Sequence, residues 1–180
     1  RKKSSFIFIP VSDFIIYEIT KEGQLRLYYK TILKTEIMGK LNMKEWISQT
    51  IQRKETIAIP IMTHPGIEFI GKTVHDAVTN GQVHYEAIKA LCDKYPAAAA
   101  TVIMDLTVEA EAFGAEILFP ENEVPSVSGR LLADEAAIEK LEVPALNKGR
   151  IPEYLKANML TARNVTDRPV FAGCIGPYSL

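Results

Sequence analysis

Three carboxylates, Asp105, Glu109 and Glu111, stand directly behind the apolar run from Ala97 to Met104. A carboxylate that follows such a run is costly to bury unless it is paired or used, so Asp105 is the first candidate for chemistry. Its other possible use is as N-cap of a following helix, and the two uses are compatible. On a helix, Glu109 lies one turn beyond Asp105, and Glu111 points about 200° away from Glu109. At most one of the two glutamates can face a site. Glu109 is the better placed, which leaves Glu111 solvated or salt-bridged. His64, in the loop Thr63-His64-Pro65-Gly66, is an imidazole that could donate, accept or ligate, or simply face solvent. Gly173, Gly176, Pro177 and Tyr178 offer close backbone approach and an aromatic wall, or a tight turn with a packed tyrosine.

These residues need elements that hold them. Ala97 to Met104 reads as a strand buried on both faces, as in a parallel sheet. Leu106, Val108, Ala110, Ala112 and Phe113 then follow a helical pattern closed by Gly114, and a second apolar run spans Glu116 to Phe119. The acids therefore lie beyond the C-terminal end of a core strand, where α/β folds place their ligands. Upstream, Thr56 to Met62 is expected to be the first strand of the sheet, and His64 lies in the loop behind it. Asn42 to Arg53 reads as a helix with Asn42 as cap, Glu45 at the capping-box position, and Trp46, Ile47 and Ile51 on one face. Thr73 to Thr79 is a short helical turn. Asn80 caps a longer helix with Val83, Ala87, Ile88, Leu91 and Cys92 on its apolar face, ended by Tyr95-Pro96.

Further on, Pro120 to Arg130 reads as loop, and Asp134 to Leu141 as a helix with Ala136, Ala137, Ile138 and Leu141 inward. Asn147 to Arg150 is a turn, and Pro152 starts a helix reaching about Asn164. Val170 to Ile175 is expected to be the third strand, with Cys174 as core filler in it. Cys92 is expected in the core, and His75 and His84 in solvent. At the N-terminus, Phe14 to Thr20 and Gln24 to Leu33 flank Lys21-Glu22-Gly23, so residues 1–40 form an extension that is either a β-hairpin or mobile. Residues 41–180 hold all the candidate residues.

At Asp105 to Gly114 the wording DLTVEAEAFG resembles the second-strand segment of the uroporphyrinogen decarboxylase superfamily, closest to its methylcobamide-dependent thiol (coenzyme M type) methyltransferases. IAIPIMTHPG (Ile57 to Gly66) and PVFAGCIGPYSL (Pro169 to Leu180) agree in order and spacing. The resemblance implies a (β/α)₈ TIM barrel, with residues 41–180 as the N-terminal portion of its catalytic domain. Such a barrel takes about 250 residues, so about the first three strands are expected here. It also implies a corrinoid protein as methyl donor, methylcobamide as co-substrate and a small-molecule thiol as acceptor. Zinc would activate that thiol, through ligands in the half of the barrel not included in this chain. By resemblance, Asp105, Glu109 and His64 are the catalytic candidates, while Thr63, Gly66, Gly173, Gly176 and Tyr178 would contact substrate or cofactor.

The alternatives are the porphyrin-pathway decarboxylase and a non-catalytic barrel fragment, which would expose a strand edge suited to dimerisation. In the decarboxylases the aspartate matching Asp105 contacts the substrate's pyrrole nitrogens. Their loop matching Met62 to Gly66 reads R-Q-A-G-R, with two arginines for the substrate's carboxylates. This sequence has neither arginine there, which argues against that substrate.

Composition is ordinary for a soluble globular protein: 180 residues, 47% hydrophobic, net charge −1. No basic stripe points to nucleic acid. Two cysteines without metal spacing fit a reduced, cytoplasmic setting. Arg1-Lys2-Lys3 before an apolar stretch has the look of a signal peptide, but Pro10, Ser12 and Asp13 interrupt it, and no run of about 20 apolar residues could span a membrane.

Overall fold

The structure is a computed structural model and describes residues 16–19, 25–28, 41–61, 63–103 and 105–176. The chain divides into two units, Arg1–Lys54 and Glu55–Leu180. In the first, β1 (Ile16–Ile19) pairs antiparallel with β2 (Leu25–Tyr28), Ile16 opposite Tyr28 and Ile19 opposite Leu25. Helix α1 (Met43–Gln52) starts where Asn42 Oδ1 accepts from the amides of Lys44 and Glu45. The Glu45 carboxylate does not close a capping box; it accepts from Gln49 one turn on. No residue of α1 is buried.

The second unit carries α2 (His64–Phe69), α3 (Val74–Thr79), α4 (Gly81–Lys94), β3 (Ala100–Thr101), α5 (Val108–Ala112), β4 (Glu116–Leu118), β5 (Ser126–Ser128), α6 (Glu135–Glu139), α7 (Ile151–Asn164) and β6 (Val170–Phe171). Local chemistry explains most of the helix ends. Thr73 and Asp76 form a reciprocal capping box on α3, and Asn80 Oδ1 caps α4 through the amides of Gln82 and Val83. Asp134 caps α6, and Pro152 opens α7. Gly114, at φ 103°, ends the α5 segment in the left-handed region that disfavours side chains.

Parallel pairing joins β3 to β6, Ala100 opposite Val170 and Thr101 opposite Phe171. The expected first strand at Thr56 to Met62 is not a regular strand in its described part. It runs extended beside β3, where the Ala98 amide donates to the Ala58 carbonyl and the Thr101 hydroxyl to the Pro60 carbonyl. Both contacts advance in the same direction along the two segments, as in a parallel pair. The regular ladder at β3 and β6 is shorter than the apolar runs of the sequence: past it the Val102 amide still donates to the Phe171 carbonyl, but the Ile103 amide donates to His84 Nε2 and the Ile175 amide to Glu109 Oε1.

Two hydrophobic clusters flank α4. Ile67, Val74, Ala77, Val78, Ala87 and Ile103 form one, binding α2, α3 and α4 to the end of β3. Ile88, Ala100, Val102 and Val165 form the other, where α4 and the end of α7 cover the sheet. Each such fully buried aliphatic side chain contributes about 1.5–3 kcal/mol. Close approach needs glycine in two places. A Cβ on Gly66 would lie 2.2 Å from the Ala87 carbonyl oxygen, and one on Gly81 2.3 Å from that of Glu153.

Several expectations are corrected. Pro120 to Arg130 is not all loop: it contains β5, onto which β4, in the apolar run Glu116 to Phe119, turns back antiparallel. Helix α6 has no buried residue, and Ile138, expected inward, is 57% exposed. Cys174 is exposed beyond β6 rather than inside a strand, while Cys92 is half-buried. No helix among the described residues is long and apolar enough to cross a membrane.

Candidate functional site

The C-terminal ends of β3 and β6 converge with the first turns of α5 and α7. Behind β3 the chain makes a turn in which Asp105 Oδ1 accepts from the Thr107 amide at 2.9 Å and from its hydroxyl at 2.7 Å. The Asp105 side chain is only 3% exposed. Its other oxygen is bound by Arg150 Nη1. Asp105 is thus paired and holds a turn, but it is not the N-cap that the sequence also allows: the N-cap of α5 is Thr107, which makes no side-chain cap hydrogen bond.

Arg150 is the residue that sequence reasoning missed. Its Nε donates to Glu111 Oε2 at 2.6 Å, Nη1 also to the Val78 carbonyl at 3.3 Å, and Nη2 to the Thr107 hydroxyl at 2.7 Å. Phe119 lies under the guanidinium, 4.7 Å from ring centroid to Cζ. Four of the five guanidinium N–H donors are engaged inside the protein. Glu111 is therefore salt-bridged, one of the two fates expected for it. A signal for this was present: Arg150 is the N-cap of α7 and makes no side-chain cap. A cation at a helix N-terminus is locally unfavourable, so something distant must hold it there.

Glu109 faces the other side. Its Oε1 accepts from the Ile175 amide at 3.2 Å, and the Tyr154 hydroxyl donates to the Gly173 carbonyl at 2.9 Å. Two helices thereby hold the glycine-containing segment behind β6. Burial pushes the Tyr154 phenol up to about 12, with the Gly173 contact lowering it and the charges of Glu109 and Asp105 raising it. The phenol keeps its proton at any physiological pH. Gly173 and Gly176 are exposed, with open space around Gly176. Tyr178 lies outside the described residues.

The first loop is arranged differently from the expectation. His64 is the exposed first residue of α2 rather than a loop residue, because Pro65 and Gly66 continue as helix. Among the described residues no hydrogen bond or ion pair joins His64 to the three acids. Thr63 is buried at 3% exposure, and Gly66 packs on α4 at the distance given above.

His84 is also corrected: it is buried, not solvated. Its Nε2 accepts from the Ile103 amide at 2.9 Å, fixing the backbone two residues before Asp105. Burial lowers its pKa to about 4, against the opposing pull of Asp105. The unfolded chain takes up this proton near pH 6.5, but the folded one only near 4, so stability falls as pH drops through that window. The full loss is about 3 kcal/mol, at about 1.4 kcal/mol per tenfold difference in proton affinity. Thermal unfolding between pH 7 and 4 should show this slope, and His84→Gln, which keeps an acceptor, should flatten it. An equal slope in both proteins would contradict the assignment.

Residues 44–180 match the family model of uroporphyrinogen decarboxylase. The chain belongs to that family. Its fold is accordingly the (β/α)₈ barrel type of the family, and β3 and β6 with the extended segment before α2 take neighbouring strand positions in it. No curated protein matches the chain. Among solved structures, a methyltransferase from Methanosarcina mazei is similar with TM-score 0.63 and 27% identity, over 71% of this chain. The match spans 39% of that protein's length. The zinc implied by the sequence resemblance finds no ligand set here: among the described residues no three His, Cys, Asp or Glu side chains converge on a point that could hold a metal.

Proposed function

We propose that this protein is a corrinoid-dependent methyltransferase that methylates a small thiol. The observation that carries this reading against the decarboxylase is the commitment of Arg150. It is the guanidinium of the described site, and its donors are spent on Asp105, Glu111, Thr107 and Val78. A polycarboxylate such as uroporphyrinogen needs free, fixed guanidinium partners. The Thr63 to Ile67 segment supplies none. Likeness to a solved methyltransferase supports the same choice.

In this reading a thiolate attacks the methyl carbon of a methylcobamide delivered by a corrinoid protein. A carbon–sulfur bond forms as the carbon–cobalt bond breaks, and the electron pair stays on cobalt. The chain's own residues bind and orient. Asp105 and Glu109 set the polar wall behind β3, His64 and Thr63 border the neighbouring strand end, and Gly173 and Gly176 line the side facing the corrinoid, where the family resemblance would add Tyr178. Zinc activation of the thiol belongs to this proposal only through the family resemblance, and no step is routed through it.

The test sets two substrates side by side on the protein as its gene encodes it. Thiol-dependent loss of the methylcobalamin absorbance, with uroporphyrinogen III unchanged, is expected. Formation of coproporphyrinogen, without thiol-dependent demethylation, would overturn the reading in favour of the decarboxylase.

A further inference from the structure

We infer that Arg150 is a positioning residue of this site, holding Asp105 and Glu111 in place from the start of α7. The argument begins with its position in the chain. As the N-cap of α7, Arg150 contributes no cap and carries its charge at the positive end of the helix. A residue chosen for the helix alone would be Ser, Thr, Asp or Asn. Its side chain instead runs inward, 8% exposed, and ties together four pieces of chain: the end of α3 through Val78, the turn behind β3 through Asp105 and Thr107, α5 through Glu111, and α7 itself.

The backbone takes part as well. The Arg150 amide donates to Glu111 Oε2 at 3.3 Å, and Gly149, at φ 52°, brings the chain against Glu111. Thr107 has a relay place, its hydroxyl donating to Asp105 and accepting from Arg150. Asp105 is consequently fixed through both oxygens, one directly and one through Thr107. Arg150 reaches no open surface of the site with these donors, so it acts on a ligand only through the acids it orients. Lysine cannot replace it, because a single ammonium cannot meet acceptors set in the planar fork that Asp105, Glu111 and Thr107 form.

Two variants, Arg150→Lys and Arg150→Met, test this in the complete protein by amide hydrogen exchange resolved to segments. Local positioning predicts that residues 105–112 exchange about tenfold faster in Arg150→Met, while residues 81–94 and 157–164 change little. Arg150→Lys should fall between and covers the case in which the methionine variant does not fold. A uniform rise over all three segments, or no change at 105–112, overturns the inference. The kinetic arm alone rests on the proposed function. There kcat should fall about 100-fold with KM within a few-fold, as expected for misplaced groups, and unchanged kcat in the folded lysine variant would also overturn it. If the unmodified protein transfers no methyl group, the functional reading fails, and hydrogen exchange still decides the role of Arg150.

Discussion

Asp105→Ala is expected to cost about 3–5 kcal/mol of folding stability, because it leaves the Arg150 guanidinium buried without its main charged partner. The side chains of Asp105 and Arg150 are 3% and 8% exposed, so water cannot take over the lost contact. The alanine also leaves the Thr107 amide and hydroxyl without their acceptor. Asp105→Asn separates these contributions, since its amide oxygen can still serve Thr107 while the charge is gone. The asparagine variant should therefore lose less than alanine. Urea unfolding of both, together with the Asp105→Ala/Arg150→Met double variant, measures the coupling directly. The double variant should be less destabilised than the sum of the singles, because removing both partners leaves no orphaned charge. Additive costs would mean that the ion pair is not the source of the loss. In the complete enzyme, Asp105→Ala that left turnover within a few-fold would remove Asp105 from the site.

The second large effect is steric. Gly66→Ala should destabilise by about 3 kcal/mol, the cost of forcing volume into a closed helix contact. Its new Cβ would meet the Ala87 carbonyl oxygen at 2.2 Å and Leu91 Cγ at 2.8 Å, and backbone cannot rotate away as a side chain can. Gly71→Ala is the matched control. It has nothing within 4 Å of a Cβ, but φ is +64°, so it bears only the local strain of a left-handed alanine, about 1 kcal/mol. Comparing the two midpoints tells packing from conformation. A Gly66→Ala protein as stable as the parent but impaired in turnover would assign Gly66 to the ligand instead.

The parts of this fold that were legible from sequence are those decided locally. Asn80 and Tyr95-Pro96 bracket α4, Pro152 opens α7, and Gly114 stops the α5 segment, each through a backbone need that a short window of residues displays. Ala87 and Ile88 were readable as core from helical spacing alone. What failed depends on distant partners. His84 looks like a solvated helix residue until the segment behind β3 supplies the Ile103 amide, and an isolated polar residue on a helix carries no mark of that. Pro120 to Arg130 reads as loop from its acids and prolines, and the strand Ser126–Ser128 inside it is set by pairing with Glu116–Leu118 that composition does not show.

The acids themselves were found by type and place, Asp105 behind the run and Glu111 as a salt-bridge candidate. Their common partner was not, because Arg150 comes 45 residues after Asp105, on another element. Only its odd position as an N-cap hinted at a long-range role.

The measurement that tests the functional claim most directly is the fate of a labelled methyl group. The protein as its gene encodes it would be incubated with trideuteromethyl-cobalamin and 2-mercaptoethanesulfonate, and the products weighed by mass spectrometry. The account predicts a thioether carrying all three deuterons, formed in proportion to enzyme and lost in Asp105→Ala. Unlabelled thiol recovered intact, with the cobalamin still methylated, would contradict it.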